Sequence, residues 1–236
     1  MAYFKMGNGQ KCLILGRQQR LSVNPVPSLK AAFELGATPS AICVLHVPSN
    51  QGEPGFQLIK KPDYEHPLKA EGVILTQRGS AAILQTADCP TLILTDELTG
   101  NKVVTHAGRA ALTPQGHCVD CTIVETALAS LGTKDKRKVQ AFVLGDISGK
   151  HFLHDHESAR PLIEPFLCLG DEIFTDKARL GLSLFAVIKH RLLHAGVPLG
   201  NISHYGECTF AHHRYSSHRR DGDRNDRNHI IVVKTR

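Results

Sequence analysis

The sequence has no apolar run long enough to cross a bilayer; the longest worth noting, Leu180 to Ile188, falls far short of the roughly 20 residues a spanning helix needs. Its first twenty residues scatter Lys5, Lys11 and Arg17 among Gly, Gln and short apolar pieces, and so lack the apolar core of a secretory leader. No glycine-rich turn of the dinucleotide or P-loop kind is present, which excludes a nucleotide cofactor held that way. No repeat, low-complexity stretch or Pro/Gly/Ser linker divides the 236 residues, so 1–236 reads as one domain. Aromatic residues are sparse at 6%. Only Tyr215 lies in the arginine-rich segment near the end, where nucleic-acid binding would want stacking platforms. That segment, 212–236, holds seven Lys/Arg against three Asp and so carries +4 of the net +6. Without aromatic interleaving it suits a solvated loop or one anionic ligand gripped by guanidinium forks.

What is present is an ordinary mix of 42% hydrophobic and 21% charged residues, as in soluble globular proteins. Seven cysteines, odd in number and irregularly spaced, fit reduced thiols better than a disulfide framework. The expectation is a cytoplasmic protein. Short apolar stretches at Ala41–Val47, Val73–Thr76, Ala81–Thr86, Thr91–Thr95, Lys102–His106, Val139–Leu144, Ile202–Tyr205 and His229–Lys234 read as strands separated by turn residues. Helices are expected over Ser28–Leu35 with Ser28 as cap, from Pro114 to Leu131 opening at Thr113, and around Glu157–Leu167 and Lys177–Ala195. Strands come in a block before the mixed elements. This order predicts an α+β fold with mixed or antiparallel sheets.

Two short blocks concentrate the chemistry: Thr86-Ala87-Asp88-Cys89-Pro90 and Thr105-His106-Ala107-Gly108. Each delivers one soft or ionisable side chain at the end of an apolar strand, where a loop begins. A cysteine after a strand is commonly a small buried hydrophobe. Here Asp88 precedes it and Pro90 keeps it out of a helix. Cys89 and His106 are then either two metal ligands or a thiolate and its base.

Other groups are weaker. His154-Asp155-His156 has the His-x-His form of paired copper centres, but a copper cluster needs several such pairs; with His212-His213 alone beside it, a solvated cap or loop is expected. Cys118-Val119-Asp120-Cys121, after His117, has no second CxxC and reads as a helix face. Asp63, Glu65 and His66 read as solvated, and Asp146 and Asp155 as minor candidates for a general acid.

The two main blocks, with the strand pair between them, resemble the YfiH family, whose members are called multicopper polyphenol oxidases (laccases) or purine nucleoside phosphorylases. Leu45-His46-Val47 ahead of Gly52, the segment Glu71 to Thr76, and Cys208-Thr209 followed by Ser217-His218-Arg219-Arg220-Asp221-Gly222 extend the resemblance, in order, over nearly the whole chain. It implies a layered α/β/β/α sandwich and a metal site of His46, Cys89 and His106. Three protein ligands with one position free is the arrangement of a catalytic zinc site, and copper is the alternative. It also implies phosphate or substrate contacts at Arg219 and Arg220. The function implied is a zinc-dependent purine nucleoside enzyme that phosphorolyses adenosine- or inosine-type nucleosides, with adenosine deamination beside it. A copper polyphenol oxidase, or a metal-binding member that has lost turnover, are the alternatives. The partners implied are a nucleoside and phosphate. The chain departs from the pattern after His106, where Arg109-Ala110-Ala111 stands for Trp-Arg-Gly; either Arg109 replaces the missing arginine from one position earlier or that contact is lost. Gly145-Asp146-Ile147-Ser148 and Phe152-Leu153-His154 stand for Gly-Pro-x-Ile and Tyr-Glu-Val.

Overall fold

The structure is a computed structural model. It describes residues 2–5, 11–16, 26–46, 59–66, 68–114, 122–222 and 226–235; of 2–5, 11 and 46 it describes the backbone alone. Fourteen strands lie among these residues: β1 Ala2–Lys5, β2 Lys11–Leu15, β3 Ile42–His46, β4 Ile59–Lys60, β5 Leu68–Lys69, β6 Gly72–Leu75, β7 Ala81–Thr86, β8 Thr91–Asp96, β9 Lys102–His106, β10 Val139–Leu144, β11 Phe174–Asp176, β12 Gly181–Leu182, β13 Ile202–His204 and β14 Asn228–Val233. The helices are α1 Val26–Glu34, α2 Arg109–Leu112, α3 Ile123–Leu131, α4 Arg160–Ile163, α5 Leu184–His194 and α6 His218–Asp221.

Two six-stranded mixed sheets form the body, in the orders β1-β2-β14-β7-β3-β5 and β13-β10-β8-β9-β6-β4. Strands buried on both faces read as continuous apolar runs rather than alternations, and β7, β8 and β14 do so. Their side chains still point alternately to opposite faces. Ile14, Ala82, Leu84, Ile230 and Val232 of the first sheet meet Val73, Leu75, Ile93 and Val104 of the second in the seam between sheets. Leu13, Leu15, Ile83, Ile231 and Val233 face outward with Ala31 and Ala32 of α1. On the far side, Leu92, Leu94 and Val103 pack with Ile123, Ala127 and Leu131 of α3 and Leu184, Val187 and Ile188 of α5. The layering is the α/β/β/α sandwich expected. Two polar residues interrupt it. His229 shares the outward face of β14 and its Nδ1 lies 2.7 Å from Ser28 Oγ on α1. Lys102, fully buried, shares the seam face of β9 and donates to Thr95 Oγ1 at 3.1 Å.

From β3 onward the longer strands were expected within a residue or two of where they lie, whereas β1 and β2 went unforeseen; the helices need correction. Ser28 lies inside α1, not at its cap. The helix expected from Thr113 opens at Thr122, which forms a capping box with Glu125 and closes at Gly132 (φ +72°). Thr113 instead ends the short α2. The Cys118/Cys121 pair and His117 lie outside the described residues. Pro161 and Pro165 break the expected 157–167 helix into a single α-turn between 3₁₀ turns, because each proline removes an N–H. The helix expected from Lys177 starts only after Ser183, whose Oγ caps the Ala186 N–H.

Candidate functional site

The loop 87–90 leaves β7 in the first sheet and enters β8 in the second, so it crosses the open end of the seam. Asp88 stands at φ +77° in this crossing, a conformation that aspartate tolerates better than most residues. Its buried carboxylate accepts from Thr209 Oγ1 (2.6 Å), Ser217 Oγ (3.0 Å) and the Arg219 N–H (2.7 Å). Its carbonyl accepts from the Ile147 N–H at 2.9 Å. One turn residue thus gathers three distant segments around Cys89, a free thiol that is partly exposed.

His106 ends β9 opposite Thr91, the first residue of β8. Its Nδ1 donates to Glu71 Oε2 at 2.6 Å, and the Glu71 carbonyl accepts from the His106 N–H (2.8 Å) and Thr105 Oγ1 (2.9 Å). Antiparallel pairing of β6 with β9 brings Glu71 there. With Nδ1 occupied, Nε2 turns toward the Cys89 sulfur. A Cβ on Gly108 would sit 2.7 Å from His106 Cε1, 2.8 Å from Nε2 and 3.0 Å from Cys89 Sγ. Gly108 has φ −66°, so glycine is needed here for space and not for angle. The result is a small hollow walled by a sulfur and an imidazole nitrogen. Burial opposes the imidazolium of His106, but Cys89 and the Glu71 carboxylate outweigh it and push the pKa up to about 10.

His46 ends β3 one residue beyond the Leu45–Leu84 pair. Because β3 and β7 run parallel, its backbone leaves the same edge of the sheet as the Cys89 loop; its side chain lies outside the described residues. Among the described residues no group of three His, Cys, Asp or Glu side chains is gathered for a metal. The thiol, the imidazole and the carboxylate behind it do match the donors and outer partner that zinc or copper takes.

Beside the hollow stands a cluster of cations. Arg109 opens α2; burial lowers the pKa of its guanidinium, Cys89 pulls it up and Arg219 pushes it down. Arg219 lies over the Phe152 ring (5.2 Å to the centroid) and donates to the Leu153 carbonyl at 3.4 Å. His154, expected as a solvated residue, is instead buried beside Arg109, its Nε2 at 3.5 Å from Arg109 Nη1. Burial, with both arginines near, pushes its pKa down. Arg220 is used differently. Its guanidinium donates to the carbonyls of Thr209, Phe210 and Tyr215 and to both Asp221 oxygens. Those five bonds use all five of its N–H donors, so it braces the α6 segment and has none left for phosphate.

Asp146 accepts from His204 at 2.9 Å, and Asp155 pairs with Arg179 at the surface; neither reaches the hollow's sulfur or nitrogen through a described contact. His156 caps the turn at Ser158, as expected of a solvated cap. Asp63 closes a surface turn with Glu65 and His66. Sequence reasoning missed Glu71 and the clamp made by Asp88. A carboxylate just before an apolar strand, and an Asp ahead of Cys-Pro, were the available signals; neither reveals a partner 35 or 121 residues away.

A family model described as multi-copper polyphenol oxidoreductase laccase matches residues 43–234. No curated protein matches the chain. Among solved structures, the hypothetical protein YfiH of Bacillus licheniformis is similar with TM-score 0.68 at 20% identity, over 92% of this chain and 82% of that one. YlmD of Geobacillus stearothermophilus is similar with TM-score 0.66 at 17% identity, over 91% and 82%. A Neisseria meningitidis protein follows with TM-score 0.65 at 16% identity, over 87% and 78%.

Proposed function

From the chain's membership of the multi-copper polyphenol oxidoreductase laccase family, we propose that it is a zinc-dependent enzyme of purine nucleosides, cleaving adenosine or inosine with phosphate and deaminating adenosine beside it. The nucleoside class comes from the family resemblance. The observation that carries the rest is the hollow at Gly108, where Cys89 Sγ and His106 Nε2 converge next to two guanidiniums. Cys89 and His106, with His46 as the third ligand, would hold the metal. Zinc in that place supplies a water of lowered pKa and an electrophilic seat for an oxyanion.

The rest of the work falls to the chain. Glu71 holds the His106 Nδ1–H, so that Nε2 is the nitrogen turned toward the metal's place. Gly108 keeps the hollow open. Arg109 and Arg219 bind and orient phosphate for attack on the nucleoside, and they offset its charge in a partly dry cleft. Asp88 holds Arg219 at its backbone, so the cation and the thiol keep a fixed relation.

Incubating the purified protein with adenosine and inosine, with and without phosphate, and separating the products tests this. Free base and ribose 1-phosphate that depend on phosphate, or inosine from adenosine, are expected. Neither product under any condition sinks the reading and leaves a metal-binding protein without turnover. Copper is the second reading, since thiolate and imidazole suit it too. His154 and His156, the one His-x-His pair, part company between a buried contact and a surface cap, so this pair lends no support to a copper cluster. Elemental analysis after expression with both metals decides: one equivalent of zinc and no copper band counts against the oxidase.

A further inference from the structure

We propose that His154 is the positioning residue of the anion site: it aims Arg109 while leaving its charge uncompensated, so that Arg109 and Arg219 together favour a doubly charged oxyanion over a singly charged one. This rests on the phosphate reading above, but concerns how the site chooses its anion rather than what happens to a nucleoside.

The argument starts from hydrogen-bond bookkeeping at one ring. His154 Nδ1 lies 3.3 Å from the Leu180 carbonyl. A carbonyl only accepts, so Nδ1 carries the hydrogen and Nε2 presents a lone pair. The group facing that lone pair is Arg109 Nη1, at 3.5 Å, and a guanidinium only donates. Both neighbours therefore require the neutral Nδ1–H tautomer. The ring is fixed on its other sides as well. The His154 N–H donates to the Arg179 carbonyl at 3.2 Å. Leu180 holds its carbonyl in place from φ +48°, which a non-glycine residue adopts at a cost. The imidazole meets the Phe152 ring at 4.5 Å and 85°. The face of Phe152 in turn carries the Arg219 guanidinium.

Both cations are thus held by neutral groups: an imidazole nitrogen for Arg109, and an aromatic face and a carbonyl for Arg219. No carboxylate hydrogen-bonds either guanidinium among the described residues. A carboxylate at position 154 would satisfy Arg109 as an ion pair and compete with any ligand. A neutral acceptor orients it without that competition. Two full charges on one side of a partly buried hollow match a hydrogenphosphate or sulfate dianion better than a monoanion.

Isothermal titration of the purified, metal-loaded protein with inorganic phosphate, sulfate and nitrate tests this, using wild type, His154→Gln, His154→Glu and His154→Ala, each checked for zinc content and thermal midpoint. Wild type should bind phosphate and sulfate about tenfold or more tighter than nitrate. His154→Glu should weaken phosphate about tenfold or more and flatten the dianion preference, because its carboxylate pairs with Arg109. His154→Ala should weaken phosphate, and His154→Gln, whose amide oxygen can accept from Arg109, should restore it to within about threefold. Unchanged phosphate affinity in both His154→Glu and His154→Ala overturns the inference, as does a wild type without dianion preference. If His154→Glu does not fold, the Ala and Gln pair alone decides. A wild type that shows this pattern yet cleaves no nucleoside retires the nucleoside reading and leaves His154 in its role. A wild type that turns nucleoside over with phosphate binding indifferent to position 154 does the reverse.

Discussion

Glu71 touches the candidate metal site only through His106, which makes it separable from the ligands by substitution. Glu71→Gln keeps the size but weakens the acceptor for Nδ1–H. Zinc affinity, read by competition with a chromophoric chelator, should fall about 10- to 100-fold, with little change in the fold. Gly108→Ala asks a different question. Its backbone sits at φ −66°, where alanine is at ease, so any loss comes from the added methyl against the His106 ring and Cys89 Sγ. Zinc affinity should drop about tenfold or more while the urea midpoint holds, since displaced site atoms cost function before stability. An unchanged zinc affinity in Gly108→Ala would show that metal does not seat between these two atoms. Cys89 and His106 were legible in the sequence as residues, because each ends a strand and opens a loop. Their convergence was not, because nothing local says that two strand ends lie side by side.

At the scale of elements, the loop between β7 and β8 is the joint of the molecule. Asp88→Asn retains the left-handed turn but replaces one accepting oxygen with a donor facing donors. It should destabilise the protein by about 3 kcal/mol in urea unfolding and loosen α6, visible as faster amide exchange over 217–221. If exchange there stays as in wild type, Asp88 is not what holds α6. The strands were the readable part: runs such as Ala81–Thr86 and Lys102–His106 are bounded by turn residues that punctuate plainly. The helices were misjudged where capping and tertiary contact compete with pattern. The hydroxyl of Ser28 looks like a cap and is spent instead on His229, 201 residues away. Thr113 reads as a helix start but lacks what Thr122 has, a Glu three residues on that completes a capping box. The short edge strands β4, β5, β11 and β12 are held by neighbours more than by their own sequence, and went unforeseen.

For the molecule as a whole, two buried bases each make stability rise with pH in their own window, while His106, raised from 6.5 to about 10, works the other way between those values. Burial lowers the His229 pKa from 6.5 to about 4. Between those values the unfolded chain binds more protons than the folded one, so stability rises with pH across pH 4–6.5 and is lost as pH falls through it. The loss is about 3 kcal/mol. His229→Gln, which does not titrate, should unfold in urea with a midpoint that changes less between pH 7 and pH 5; an equal change in both proteins would contradict this. Burial, with Lys234 adding to it, lowers Lys102 from 10.5 to about 7. By the same sign, the Lys102 contribution to stability rises with pH from 7 to 10.5. Lys102→Met should therefore stabilise the protein at pH 7, by about 2 kcal/mol, with a gain that shrinks toward pH 10 in thermal melts. The last strand of the chain lies at the heart of the first sheet: β14 sits between β2 and β7. On a translating ribosome, the edges of β2 and β7 that pair with β14 wait unpaired until residues 228–233 have emerged. The first sheet closes late, through contacts of long sequence separation that form slowly. The brace on the Cys89 loop shares that long reach, since Asp88 meets Thr209, Ser217 and Arg219 across 121, 129 and 131 residues of sequence.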